Sequence, residues 1–151
     1  MDKTILRSAL KEKYETSDRS VDKLLEKRIL ELDIMKSAKV IFLPISFGFE
    51  VETRGMIKQL LKDQKTVCVP KCISKTQMVP VQLLSLDELV LDFMGILTSS
   101  SEVIISKDQV DVCLCPGLAF SEDGYRLGYG AGFYDRFLAD FGGISLGYCR
   151  D

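Results

Sequence analysis

The 151-residue sequence contains no histidine. That absence excludes Ser-His and Cys-His nucleophilic dyads, zinc sites that need imidazole, and a histidine-based pH switch. Chemistry falls instead to carboxylates, Lys, Arg, Tyr, Cys or backbone dipoles. An excess of one charge is also missing. The 20 Lys plus Arg stand against 22 Asp plus Glu, a net charge of −2, which leaves no basic footprint for nucleic acid or an anionic membrane. Acidic and basic residues alternate over residues 1–36 and read as a solvated helical face, not a basic arm. Apolar runs such as Val40–Ile45 and Val110–Cys115 fall far short of a bilayer span. No secretory pattern follows Met1-Asp2-Lys3, so a cytoplasmic location is expected. Five cysteines, an odd count, argue against a disulfide framework. Cys113-x-Cys115 and Cys68-x-x-x-Cys72 lack the two-residue gap of zinc knuckles. Cys68, Cys113 and Cys115 also lie in apolar runs, where a thiol acts as a small hydrophobe.

What is present suits one domain over residues 1–151, with 46% hydrophobic and 28% charged residues and no repeat or low-complexity linker. Helical spacing predicts a helix over about Lys3–Tyr14 and a second from Ser17, a candidate cap, to about Lys36. The period then changes. Val40–Leu43 is a continuous apolar run that suits a strand buried on both faces. Helix spacing returns at Met56, Ile57, Leu60 and Leu61, with Thr53 as a possible cap. A strand over Thr66–Val69 is closed by Pro70, and Val79–Leu84 reads as another. Leu86–Leu91 is ambiguous, Thr98–Ser101 is a polar loop, and Val103–Ser106 is a short strand. Val110–Cys115 is a buried strand stopped by Pro116-Gly117, followed by a helix over about Gly132–Asp140 and a strand at Ile144–Tyr148. This alternation predicts a three-layer α/β/α domain: N-terminal helices over 1–36, then an α/β core over 38–151 with a mostly parallel sheet and helices on both faces.

The stretch from Pro116 to Phe137 carries the chemistry. Gly128, Gly130 and Gly132 alternate just before a helix, so the backbone can approach a ligand closely and turn N–H groups toward an anion. Arg126 can clamp phosphate oxygens, and Asp135 in the first helical turn can hold a magnesium ion bridging them. Tyr129, Phe133 and Tyr134 can stack on a flat ligand. Neither common phosphate loop fits. Position 133 is Phe where a dinucleotide fingerprint needs Gly, and no Gly-Lys-Ser/Thr follows as in a Walker A loop. On spacing alone the loop could equally do no more than turn the chain into a helix.

The run Arg126-Leu-Gly-Tyr-Gly-Ala-Gly-Phe-Tyr-Asp135, preceded by Pro116-Gly-Leu-Ala-Phe and Gly124-Tyr125, closely resembles the signature of 5-formyltetrahydrofolate cyclo-ligases, also called 5,10-methenyltetrahydrofolate synthetases. Lys3-x-x-x-Arg7, the Phe42–Thr53 stretch with Ser46 and Glu50, and Val69-Pro70-Lys71 resemble that family's earlier segments in the same order. The resemblance implies ATP-dependent closure of 5-formyltetrahydrofolate to 5,10-methenyltetrahydrofolate, with ADP and phosphate released, by a monomeric enzyme needing Mg²⁺. Phosphoryl transfer of this kind needs positioning and charge neutralisation more than covalent help. By the same resemblance, Arg126 and Glu50 act in catalysis. Lys3, Arg7, Arg126, Gly128, Tyr129, Gly130, Ala131, Gly132, Phe133 and Tyr134 hold ATP. Ile45, Glu50 and Tyr134 meet the folate, and Asp135 holds the metal.

The sequence departs from the family at three positions. Ala131 stands where Lys or Gly is usual, Phe133 where Tyr is common, and Phe49 where a polar residue is usual. A further helix, strand and acidic position after Ile144–Tyr148 are also expected of the family and do not occur within these residues. A relative that binds folate or nucleotide without turnover is therefore the second reading.

Overall fold

The computed structural model describes residues 3–16, 18–48, 50–117, 119–122, 126–128 and 132–150. Three helices lead in: α1 (Lys3–Thr16), α2 (Val21–Leu30) and α3 (Asp33–Ser37). Then come β1 (Val40–Phe42), α4 (Arg54–Lys62), β2 (Thr66–Cys72), β3 (Met78–Leu83), β4 (Leu89–Leu91) and β5 (Leu97–Ser99). The chain continues with β6 (Val112–Pro116), β7 (Ala119–Phe120), β8 (Arg126–Leu127), α5 (Phe133–Leu138) and β9 (Ile144–Tyr148).

The main sheet runs β3-β2-β1-β6-β9, and every pairing in it is parallel except that of β2 with β3. Side chains alternate across it as the period of two demands. Ile41, Leu43, Val67, Val69, Val112 and Leu114 pack on one face with Ile29, Met35, Met56, Ile57 and Leu60 from α2–α4. Phe42, Cys68, Cys113 and Cys115 pack on the other with Phe133 and Phe137 of α5. Both faces are thus covered, which explains the unbroken apolar runs and confirms the three-layer α/β/α class. The Asp111 carboxylate accepts the N–H groups of Lys39 and Val40, tying the start of β1 to that of β6.

Four local expectations are corrected. The helix read over 17–36 is two helices, because Leu32 is extended (φ −64°, ψ 137°) and re-aims the chain so that Met35 is buried. The apolar spacing continues across the break, so periodicity reads through it; Ser17 lies outside the described residues. Pro70 does not close β2. It stands opposite Pro80 across the antiparallel pair; on the other side Leu43 N–H donates to the Cys68 carbonyl (3.1 Å), and Pro70, lacking an N–H, ends the ladder with β1 while β2 runs on against β3. The supposed polar loop at 98–101 begins as β5, which pairs antiparallel with β4. Thr98 and Ser99 are fully buried there, a burial that their polarity conceals. Thr53 does precede α4, yet its hydroxyl donates to the Pro44 carbonyl (2.7 Å) and accepts from the Ser46 N–H (2.9 Å) instead of capping the helix. Among the described residues, no helix is long and apolar enough to cross a membrane.

Candidate functional site

Strand order places β1 between β2 and β6, and in an open α/β sheet ligands bind outside the carboxyl ends of strands where the order switches direction. A cavity of about 300 Å³ lies there. Its walls include Pro44 and Ile45 after β1, Pro70 and Cys72 of β2, Pro116 of β6, and Phe133 and Tyr134 of α5. Three of the chain's four prolines therefore line it. They contribute apolar surface and no N–H donors.

Few polar groups enter this apolar space. Glu50 lines the wall, and its Oε1 accepts the Phe47 N–H at 2.8 Å. Burial pushes its carboxyl above the ordinary glutamate range, and that hydrogen bond offsets the shift only in part. Tyr134 stacks on Phe42 with ring centroids 6.3 Å apart, and its buried hydroxyl has no partner among the described residues. Burial raises that phenol well above its ordinary pKa. Cys72 is held protonated, its thiol pushed up to about 12 by burial and the nearby Asp92 carboxylate. Buried polar groups are normally satisfied, and this hydroxyl on a cavity-lining residue is an exception among the described residues.

Arg126 is placed differently from the open clamp that its spacing suggests. Its side chain is 9% exposed; Nη1 donates to the Pro116 carbonyl (2.8 Å) and Nη2 to Asp135 Oδ1 (3.2 Å). The guanidinium lies 5.4 Å from the Tyr134 ring centroid, and its buried Nε has no partner among the described residues. Asp135, 68% exposed, faces outward beside it. Among the described residues no three His, Cys, Asp or Glu groups cluster as a cage. A lone exposed carboxylate suits a Mg²⁺ ion held mainly by phosphate oxygens and water.

Of the remaining expected residues, Arg7, Gly128 and Gly132 are placed at this edge. Arg7 on α1 donates through Nε to the Gly128 carbonyl (3.0 Å), which brings the N-terminal helix against the glycine segment. Lys3, one turn earlier, is exposed. Gly128 is buried, and a Cβ there would stand 2.6 Å from Arg126 Nη1. Gly132 has φ +74°, a left-handed conformation that favours glycine, immediately before α5. Tyr129, Gly130, Ala131 and Phe49 lie outside the described residues. Phe137, three positions after Tyr134, belongs to the core, 4.8 Å from Phe42.

Two groups of residues escaped the sequence reading. The β4–β5 hairpin brings Leu91, Gly95, Ile96 and Leu97 to the cavity. Its turn is organised by Asp92, whose carboxylate accepts the N–H groups of Cys72, Met94 and Ile96. The Asp92-x-x-Gly95 turn signal was the available clue. Asp22 and Arg150, a buried ion pair beside the Glu50 segment, are 128 residues apart and leave no local signal.

Comparison with known proteins agrees with this fold. The backbone is similar to the NMR structure of 5,10-methenyltetrahydrofolate synthetase from Aquifex aeolicus, with a TM-score of 0.84 and 25% identity over 100% of this chain and 84% of that one. In sequence the chain is 31% identical over 120 residues to a probable 5-formyltetrahydrofolate cyclo-ligase of Schizosaccharomyces pombe, a match covering 76% of this chain and 59% of that protein. It is also 31% identical over 125 residues to the 5-formyltetrahydrofolate cyclo-ligase of Escherichia coli K12, covering 78% and 68%. The chain thus spans less than two thirds of the length of the yeast relative. With residues 2–146 matching its family model, the chain belongs to the 5-formyltetrahydrofolate cyclo-ligase family.

Proposed function

We propose that the cavity at the carboxyl ends of β1, β2 and β6 binds 5-formyltetrahydrofolate and that the chain catalyses its ATP-driven closure to 5,10-methenyltetrahydrofolate, releasing ADP and phosphate. The observation that carries this reading is an apolar, proline-walled slot whose few polar lining residues are Glu50, Arg126 and Tyr134, the last two each with a buried polar atom that has no partner among the described residues. A flat pterin fits such walls, and the few polar groups orient it.

In this reaction the formyl oxygen attacks the γ-phosphoryl group and ADP leaves, giving a phosphorylated imidate. N10 then attacks the imidate carbon, phosphate departs with the former formyl oxygen, and N10 loses its proton. Glu50, whose burial raises the proton affinity of its carboxylate, accepts that proton. Arg126, held by the Pro116 carbonyl, and Arg7, held by the Gly128 carbonyl, supply fixed positive charge beside the phosphates. Lys3 adds to it from the first turn of α1, and the glycine segment offers the close backbone approach. Asp135 would hold Mg²⁺, which would supply neutralising charge at the phosphates.

The test is to incubate the protein with 5-formyltetrahydrofolate, ATP and Mg²⁺ and follow the near-ultraviolet absorbance of the methenyl product. An ATP-dependent rise is expected. No rise, with the E. coli relative active in parallel, refutes catalysis. Phe133, where the family commonly has Tyr, motivates one second reading: binding of folate or nucleotide without turnover. Calorimetric binding in the absence of product would identify it.

A further inference from the structure

The Asp22 carboxylate on α2 and the Arg150 guanidinium just past β9 form a two-pronged ion pair, Nε to Oδ1 and Nη2 to Oδ2, both at 2.7 Å. Their side chains are 4% and 3% exposed. A buried pair of this kind is weak as a source of stability, since well-packed apolar residues do as well or better. What distinguishes this one is where its spare hydrogen-bonding capacity goes. Arg150 Nη2 also donates to the Glu50 carbonyl (3.2 Å), and Asp22 Oδ2 also accepts the Glu52 N–H (3.0 Å). The backbone is thus gripped on both sides of Val51. Arg19 adds two more bonds, Nη1 to the Gly48 carbonyl (2.8 Å) and Nη2 to the Glu50 carbonyl (3.0 Å).

The flanks of this segment are fixed independently. Ser46 and Thr53 exchange hydrogen bonds across its base, and Ser46 Oγ donates to Glu52 Oε1 at 2.6 Å. The turn itself is closed from Glu50 N–H to the Phe47 carbonyl (3.2 Å). The two guanidiniums and Asp22 therefore set how far the turn, and the Glu50 side chain with it, reaches into the cavity.

Resting on the reaction proposed above, we infer that Asp22, Arg150 and Arg19 are positioning residues that hold Glu50 at its place in the cavity wall. None of the three lines that cavity. Their effect reaches the chemistry through the Glu50 backbone, and small misplacements of a reacting group cost rate steeply.

The test uses Arg150→Lys, which keeps the charge beside Asp22 but cannot span both Asp22 and the Glu50 carbonyl, and Arg19→Gln at an exposed position. The Glu50 carboxyl is titrated by ¹³C NMR, its resonance assigned by disappearance in Glu50→Gln. Arg126 and Tyr134 share the cavity with Glu50, and both stay unchanged. The expected result is a Glu50 midpoint that falls toward the ordinary glutamate range in both variants as the freed turn lets water reach the carboxyl. Losing the Arg19 charge alone would move it upward instead, so the direction separates positioning from simple Coulomb effects. With 5-formyltetrahydrofolate and ATP, kcat is expected to fall by about tenfold or more, with KM changed much less. An unchanged midpoint and kcat in cooperatively folding Arg19→Gln overturns the proposal, whatever Arg150→Lys does. A midpoint that falls in the variants while the unaltered protein shows no turnover supports the clamp and refutes only the reaction.

Discussion

Tyr134→Phe should make the free protein more stable and its ligand complex weaker. The Tyr134 hydroxyl is buried without a partner among the described residues, so folding strips it of water and returns no hydrogen bond. An unmet group of this kind costs about 1–3 kcal/mol. Phenylalanine removes that cost and keeps the ring contacts: the stack on Phe42 at 6.3 Å and the Arg126 guanidinium at 5.4 Å. For a chain of this size 1 kcal/mol corresponds to about 2–4 °C, so Tm should rise by about 2 °C or more. The bound state carries the opposite sign. If the hydroxyl meets a polar atom of the folate, its loss removes about 0.5–1.5 kcal/mol, or about two- to tenfold in Kd. Thermal unfolding by circular dichroism without ligand gives the first number, and calorimetric titration with 5-formyltetrahydrofolate the second. A lower Tm for Tyr134→Phe would refute the reasoning, because the hydroxyl would then be satisfied in the free protein.

Gly128→Ala should weaken ATP binding by about tenfold and also lower Tm, because a nearly buried guanidinium loses its partners. The added Cβ would sit 2.6 Å from Arg126 Nη1, and that flexible guanidinium can swing away only by giving up Pro116 and Asp135. Equal ATP affinity by calorimetry would show that Arg126 does not need this position. Glu50→Gln should change the pH dependence of stability. The folded pKa of Glu50 is raised above its ordinary 4.5, so its contribution is present below that pH and is lost as pH rises through the folded value. Urea unfolding from pH 4 upward should therefore show the Gln variant gaining on the unaltered protein until Glu50 is fully ionised; a gap constant with pH contradicts the burial of that carboxyl.

The apolar runs Val40–Phe42 and Val112–Cys115 were legible as strands covered on both faces, because a period of two with apolar residues at every position leaves no side for water. The Arg126–Asp135 signature was legible too, since its glycines and charges are local in sequence and carry the family likeness. Other features were not. The hydrophobic spacing of 21–36 looks the same for one helix or two, and only the packing of Met35 under the sheet decides for a break at Leu32. Thr98 and Ser99 look like solvent-facing polar residues until β2 and β3 cover them.

By itself the sequence determined the α/β/α class, the absence of imidazole chemistry and the glycine-rich edge where charge and backbone converge. Those depend on composition and on contacts between near neighbours. Only the tertiary structure decided that Pro44 just past β1, Pro70 of β2 and Pro116 of β6 share one cavity wall, that the buried Tyr134 hydroxyl and Arg126 Nε have no partner among the described residues, and that Asp22 meets Arg150 behind Glu50. The physical reason is range: periodicity records which face a residue turns inward, whereas burial, orphaned donors and ion pairs arise only when distant segments close over one another and exclude water.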